Sequence, residues 1–277
     1  MKNILVPVDF SELSKVAARY AFGMASEHQY RIHLFTVKDI NSGPHALMYK
    51  HKLESEIHQA NEDDGKELAR QLQAMSPKLV EITVASESGH SIYSAINDYA
   101  NFNQIDLIVM GSQGASGLKK VFLGSNAAAV INYSAVPVII VPANAVYKGI
   151  NSVVYATDMA QVDREVRQIK ELIYDFDSRL HIIHVVPEGS EEAMNTAGMP
   201  GEEIKTVTYH STDFHIFKSI PVAEAIDDFV VTQQADLLAL FTHKLEFLEK
   251  LFDTSVTRQL AYHNHVPLLS FNKSLSK

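Results

Sequence analysis

The stretch that decides the fold occurs twice in this chain. Residues 105–141 read IDLIVMGSQGASGLKKVFLGSNAAAVINYSAVPVIIV, and residues 235–271 read ADLLALFTHKLEFLEKLFDTSVTRQLAYHNHVPLLSF. The two stretches align without a gap, so that Asp106 meets Asp236 and Pro137 meets Pro267. Each contains a buried apolar run, a loop, a helical segment and a second apolar run, a pattern typical of α/β units with parallel strands.

The repeat extends towards the start of each copy. Residues 4–10 (ILVPVDF) correspond to residues 153–159 (VVYATDM), so that Asp9 meets Asp158. The second copy is shorter because it has only a reduced counterpart of a long helical segment of the first. We therefore predict two tandem domains, 1–146 and 147–277.

Apolar runs and amphipathic segments alternate along the first copy. They predict strands at Asn3–Val8, Arg31–Val37, Leu79–Ser86, Asp106–Met110 and Val138–Val141, and helices at Glu12–Ser26, His51–Met75, Ser91–Phe102 and Ser125–Tyr133. Ser11 is predicted to cap the first helix, since serine is a favoured N-cap, and Ser125 either to cap the fourth helix or to donate its hydroxyl to a phosphate. Strands that alternate with helices imply right-handed crossovers and a mostly parallel sheet.

Glycines are concentrated in one loop. Nine of the 12 glycines lie in residues 1–149, and four of those lie between Gly111 and Gly124. The loop has the spacing G-x2-G-x9-G-S, follows the fourth predicted strand and leads into a helix. Glycines permit positive φ and close approach of backbone N–H groups, and a helix N-terminus attracts anions, so the loop predicts a phosphate site. A turn of small residues without a ligand is the alternative.

This loop, with VPVDFS near the start and AVPVIIVP at the end of the first copy, resembles the universal stress protein family. The first copy matches closely, and the second matches in framework only. The resemblance implies two tandem Rossmann-like α/β domains of the adenine nucleotide alpha hydrolase type. Each would have five parallel strands in the order 3-2-1-4-5 with helices on both faces. It also implies ATP as the ligand, with or without Mg²⁺, and a regulatory stress-response role.

The resemblance also implies which residues surround the nucleotide. Asp9 would contact the ribose or adenosine, Val37 the adenine through its backbone, Met110 and Gly111 the ribose, and Gly114, Gly124, Ser125 and Asn126 the phosphates. Capping of the first helix is the alternative role for Asp9. No general base beside the phosphates is evident, so we expect at most weak ATPase activity. An adenylating or ATP-hydrolysing enzyme and a nucleotide-free interaction module remain as alternative functions.

The second copy lacks the glycines of the loop. Phe241, Lys244 and Thr254 replace Gly111, Gly114 and Gly124, while Ser255 is retained. Because bulky and β-branched residues block close backbone approach, we expect no ATP site of the first type there. Phe241 is expected to occupy the space that a ribose would need.

The last strands of the two copies provide an internal interface. The resemblance implies that single-domain members of the family form dimers, in which the last strands of the two chains pair. Val138–Val141 and Leu268–Phe271 are two such strands in one chain. We therefore expect an intrachain pseudo-dimer, because the pairing would cover two exposed sheet edges.

Composition excludes several classes of site. The net charge of −9 argues against nucleic-acid binding, and the absence of Cys excludes thiolate metal sites and fits a cytoplasmic protein. No apolar run is long enough to span a membrane. The 13 histidines are scattered: His181 and His184 should point to opposite faces of a strand, and His210 and His215 flank a turn-like stretch. We therefore expect neither a histidine metal site nor a catalytic triad.

Overall fold

The computed structural model of the protein describes residues 1–39, 50–89, 91–112, 124–186, 211–218, 222–242 and 266–272. The strands are β1 (Asn3–Pro7), β2 (Arg31–Asp39), β3 (Ile82–Gly89), β4 (Leu107–Gly111), β5 (Val138–Val141), β6 (Ser152–Thr157), β7 (Arg179–Val186), β8 (Thr212–Lys218), β9 (Leu237–Thr242) and β10 (Leu268–Asn272). The helices are α1 (Glu12–His28), α2 (Lys50–Gln73), α3 (Ile92–Phe102), α4 (Ser125–Tyr133), α5 (Val162–Ile173) and α6 (Val222–Thr232).

The described strands form one ten-stranded sheet, in the order β3-β2-β1-β4-β5-β10-β9-β6-β7-β8. Read inward from each edge of the sheet, both halves have the order 3-2-1-4-5, so the predicted fold is confirmed. Strands within each half pair in parallel. The halves meet where β5 and β10 pair antiparallel, with Leu269 opposite Ile139.

Two apolar layers cover the sheet, one on each face. On one face α1, α2 and α5 pack through residues such as Phe22, Leu72 and Ile169. On the other face α3, α4 and α6 pack through residues such as Ile96 and Val130. The strands are apolar on both sides because both faces are covered, which explains the uninterrupted apolar runs in the sequence.

The predicted elements agree with the observed ones in kind and order, with three corrections. Strand β3 is Ile82–Gly89, three residues later than the predicted Leu79–Ser86. Helix α4 and strand β5 have the predicted bounds, and Ser11 caps α1 by accepting a hydrogen bond from the Ser14 N–H. The N-cap of α4 is Gly124, and Ser125 is the first helical residue, so the predicted Ser125 cap is wrong. The turn-like stretch around His215 is strand β8.

Side chains also join the two halves beside the sheet. Lys2 Nζ donates to the carbonyl oxygen of Leu172 at 2.8 Å and lies 3.1 Å from Asp175 Oδ2. The Tyr30 hydroxyl donates to the same Asp175 carboxylate. The C-terminal end of α5 is thereby tied to the start of β1, since a lysine there neutralises free carbonyls and a carboxylate. None of the helices in the described part of the chain is long and apolar enough to cross a membrane.

Candidate functional site

A cleft of about 310 Å³ opens at the carboxyl ends of β1, β2 and β4. β1 lies between β2 and β4, so the sheet order reverses there, and ligands of open α/β sheets bind at such a switch point. The volume falls in the range of small-molecule sites, about 300–1,000 Å³. Its lining comprises Pro7, Val8, Asp9, Ser14, Phe35, Val37, Ile92, Ile96, Met110, Gly111, Gly124, Ser125, Asn126 and Ala127.

The cleft brings together seven of the eight residues that the sequence singled out. These are Asp9, Val37, Met110, Gly111, Gly124, Ser125 and Asn126. The eighth, Gly114, lies outside the described residues. Residues from four separate parts of the sequence therefore share one cavity.

One wall of the cleft is apolar. Phe35 and Val37 come from β2, Met110 from the end of β4, and Ile92 and Ile96 from α3. Phe35 is buried and stacks on the Tyr99 ring, with centroids 4.3 Å apart and an interplanar angle of 27°. This wall suits a flat, weakly polar ring, since its side chains are held by the core behind them.

The opposite wall is the N-terminus of α4. Ser125, Asn126 and Ala127 line the cleft from the first turn, where backbone N–H groups have no acceptor within the helix. The helix dipole adds partial positive charge at this end. The Gly124 N–H is already engaged, because it donates to the Ser112 carbonyl oxygen at 2.7 Å. Gly124 therefore leaves space at the cleft and does not offer its own N–H.

The two described glycines of the loop, Gly111 and Gly124, provide space for the cleft and have no unusual backbone conformation. Gly124 has φ −61° and ψ 149°, which any residue can adopt. Gly111 is not among the residues with positive φ. The positive φ that glycine permits is therefore not adopted at either position, and the absence of a side chain is what distinguishes both glycines at the cleft.

Asp9 stands at the rim of the cleft and organises the turn into α1. Its Oδ1 accepts hydrogen bonds from the Ser11 N–H at 3.0 Å and the Ser11 hydroxyl at 2.6 Å. Asp158 makes the equivalent bond in the second half, where its Oδ1 accepts from the Ala160 N–H at 3.0 Å. A turn role is therefore common to both copies, and only the Asp9 copy adjoins the described cleft.

Phe241 does not point to the side equivalent to the apolar wall of the cleft. It packs on the α5 face of the sheet, against Tyr155 at a centroid distance of 5.8 Å and parallel to Phe271 at 4.4 Å. The apolar wall of the first half is on the opposite face, with Met110 and Ile96. Side chains alternate along a strand, so the residue equivalent to Gly111 points away from that side. Lys244, Thr254 and Ser255 lie outside the described residues.

Four residues that line the cleft were not predicted as site residues from the sequence. They are Ser14, Phe35, Ile92 and Ile96. In the sequence they have the pattern of ordinary core residues or of residues in the first turn of a helix. Their positions at the carboxyl end of β2 and at the first turns of α1 and α3 were the available signal, since ligands of such sheets contact those ends.

Fold and cleft together define a doubly wound α/β protein with an open cleft at its topological switch point. The chain belongs to the universal stress protein family, because the model of that family matches residues 1–142 and again residues 149–271. The two matches coincide with the two halves of the sheet.

Individual relatives support this assignment. The chain is 29% identical over 141 residues to universal stress protein MJ0531 of Methanocaldococcus jannaschii, covering 50% of this chain and 81% of that protein. A universal stress protein from Archaeoglobus fulgidus has a similar structure, with a TM-score of 0.67, 20% identity and 98% of both chains covered. A putative universal stress protein from Pseudomonas aeruginosa gives a TM-score of 0.62 at 16% identity, over 98% of this chain and 93% of that one. These two structures share the tandem fold.

Proposed function

We propose that this universal stress protein binds ATP in the cleft of its first half and acts as a nucleotide-dependent regulator. The observation that carries the proposal is that seven residues from separate parts of the sequence line one cavity. They are Asp9, Val37, Met110, Gly111, Gly124, Ser125 and Asn126. These are residues that the resemblance to the universal stress protein family implies for the nucleotide.

Each end of the cleft has the chemistry that one part of ATP requires. The apolar wall around Val37 and Met110 suits the adenine ring. Asp9 lies between the walls, where a carboxylate can accept hydrogen bonds from ribose hydroxyls. The first turn of α4 with Ser125 and Asn126 suits the phosphates, because helix N-termini bind anions through free N–H groups.

A matched pair of variants tests the proposal. Asp9→Asn and Asp158→Asn each keep one side-chain oxygen for the turn and remove the charge. We expect Asp9→Asn to weaken ATP binding about tenfold or more, the effect of losing one charge-assisted hydrogen bond, and Asp158→Asn to leave it unchanged. Calorimetry with ATP, with and without Mg²⁺, gives both affinities, and thermal unfolding checks that both variants lose similar stability.

A second variant addresses the phosphate end. Val is compatible with the φ and ψ of Gly124, so Gly124→Val adds bulk at the cleft without backbone strain. We expect it to abolish measurable binding of ATP and to spare that of adenosine. Equal ATP affinity in parent and variant would place the phosphates elsewhere.

The same titration separates the alternative functions. Binding with no release of phosphate over hours supports a regulator, whereas steady turnover would identify an ATP-hydrolysing enzyme. Absence of ATP binding to the parent protein would overturn the proposal and leave an interaction module.

A further inference from the structure

Three potential metal ligands lie on the last two strands of the second half. His181 is on β7, directly opposite Asp213 on the parallel strand β8. His215 is two residues beyond Asp213, so its side chain points to the same face of the sheet. One ligand atom from each of the three residues lies within 4.8 Å of the others. This cluster shares no residue with the cleft of the first half.

The cluster is covered by helix α6. Phe229 of α6 packs against both imidazoles, with ring centroids 5.9 Å from His181 and 4.7 Å from His215. His181 is only 4% exposed, whereas Asp213 is half-buried and β8 is the outermost strand of the described sheet. The site is thus closed on the core side and approachable from the sheet edge.

Two imidazole nitrogens in the cluster have unused hydrogen-bonding capacity. Within the described part of the chain, neither His181 Nδ1 nor His215 Nε2 has a hydrogen-bond partner, and both atoms are buried. The nearest carboxylate oxygen, Asp213 Oδ2, lies 3.6 Å from His181 Nδ1, which is beyond hydrogen-bond distance. Buried polar atoms are normally satisfied, so such a pair indicates a missing partner.

The first half of the chain provides an internal comparison. His33 is equivalent to His181, and Tyr99 is equivalent to Phe229. The two pairs have the same geometry, with ring centroids 5.9 Å apart in both. In the first half the Tyr99 hydroxyl lies 3.1 Å from His33 Nδ1 and satisfies it.

The neighbours on the edge strand also differ between the halves. Thr83 lies opposite His33 on β3, and Ala85 follows two residues later. These positions hold Asp213 and His215 in the second half. The second half has therefore lost the hydroxyl partner of its histidine and gained a carboxylate and an imidazole beside it.

We propose that His181, Asp213 and His215 form a binding site for a divalent transition-metal ion of the imidazole-preferring class, with Zn²⁺ as the typical member. Two imidazoles and one carboxylate are a common ligand set for such ions and leave a further coordination position for water or a small ligand. An ion with ligand distances of about 2.0–2.2 Å requires the three ligand atoms to come closer to one another by about 1 Å. Side-chain rotation at an edge strand can supply this.

Arg179 sets the condition under which the ion binds. Its Nε donates to Asp213 Oδ2 at 2.9 Å, so the ion must share or displace this contact. The Arg179 side chain is 61% exposed and can turn to solvent at little cost. We expect Arg179→Gln to strengthen metal binding, because it removes a competing positive charge.

The test uses the full chain without an affinity tag, titrated with Zn²⁺ by calorimetry and with Co²⁺ by visible absorption. We expect one ion per chain. Loss of an outer-shell partner already weakens metal sites about 10–100-fold, so loss of a ligand in Asp213→Asn or His215→Gln should weaken binding at least about 100-fold. His33→Gln, the matched change in the first half, should leave binding unchanged.

Two results would overturn the proposal. One is the absence of saturable binding of a single ion by the parent chain. The other is equal affinity in the parent and Asp213→Asn proteins, which would show that other histidines hold the ion. Asp213 is half-buried, so its variant should fold even where His215→Gln does not, and thermal unfolding verifies this. Neither result depends on whether ATP binds in the first half.

Discussion

Gly111, at the end of β4, lies directly against Leu13 in the first turn of α1. A β-carbon on Gly111 would stand 3.0 Å from the Leu13 carbonyl oxygen and 3.3 Å from the Leu13 β-carbon. This glycine therefore allows α1 to approach the sheet closely, while its backbone lines the cleft. One missing side chain serves both the packing of the helix and the shape of the site.

We expect Gly111→Ala to destabilise the protein and to weaken ATP binding together. The added methyl group must push the first turn of α1 outward by a few tenths of an ångström, and overpacking of this kind costs about 1–3 kcal/mol. The same shift displaces the turn that Asp9 organises. Urea unfolding and ATP calorimetry measure the two effects, and a variant as stable as the parent would contradict the packing role.

Gly23, in the middle of α1, is required by Tyr147 in the segment between the two halves. A β-carbon at Gly23 would lie 2.4 Å from Tyr147 Cδ1 and 2.9 Å from its β-carbon. The Tyr147 ring is also held edge-on against Tyr20 at 5.3 Å. We expect Gly23→Ala to lower the free energy of unfolding by about 1–3 kcal/mol, because the whole side chain must move.

A double-mutant cycle isolates this contact. In a Tyr147→Ala background, Gly23→Ala should be neutral or stabilising by up to about 1 kcal/mol, the usual gain of alanine over glycine within a helix. The same loss in both backgrounds would show that Tyr147 is not the cause.

His33 should make stability depend on pH. Burial lowers the pKa of His33 from its ordinary value of 6.5, and the Arg31 charge acts in the same direction, while Glu81 opposes it. The unfolded chain then takes up a proton more readily than the folded one below pH 6.5. The stabilising contribution is therefore complete above that pH and is lost as the pH falls towards the lowered pKa.

The variant His33→Gln should remove this pH dependence. We expect the difference in unfolding free energy between parent and variant to be constant above about pH 6.5 and to change as the pH falls below it towards the lowered pKa of His33. Burial also lowers the pKa of His181, but that residue contributes equally to both proteins and cancels in the difference. A difference that stays constant over the whole range would contradict the lowered pKa of the half-buried His33.

Phe229→Tyr should convert the second-half cluster towards the arrangement of the first. The pair geometry is the same in both halves, so the new hydroxyl would lie beside His181 Nδ1 as Tyr99 lies beside His33. We expect metal affinity to fall about tenfold or more, because the hydroxyl competes for a ligand nitrogen. The reverse change, Tyr99→Phe, should create no metal site, since Thr83 and Ala85 replace the carboxylate and imidazole. Co²⁺ titration of the two variants measures both, and undiminished affinity in Phe229→Tyr would exclude His181 Nδ1 as a ligand.

The repeat of residues 105–141 at 235–271 was enough to predict two α/β units. Local signals placed α4 and β5 correctly, because Pro137 and the glycine loop interrupt the apolar pattern at their ends. Strand β8 was missed, because the residues between His210 and His215 were interpreted as a turn. The alternation of Phe214 and Ile216 with polar residues in Thr212–Lys218 was the local strand signal, and pairing with β7 completes the strand.

The candidate cleft was predictable to a large extent. The glycine loop predicted the place of the site, because in parallel sheets the strand ends and helix starts that bind ligands are adjacent. The family resemblance then implied seven of the residues that line the cleft. The orientation of Phe241 was not predictable in the same way. It depends on which face of β9 the side chain occupies, and the loop alignment alone does not carry that information.

The sequence by itself determined the kinds of elements, their order and the concentration of glycines in one copy, since these follow from periodicity and from residue types along the chain. Only the tertiary structure decided which distant side chains meet. His181 and Asp213 are 32 residues apart in the sequence and become neighbours through the parallel register of β7 and β8. A shift of one residue in that register would turn Asp213 and His215 to the opposite face. The potential metal site is therefore formed by strand pairing in the sheet and is not visible as a local sequence motif.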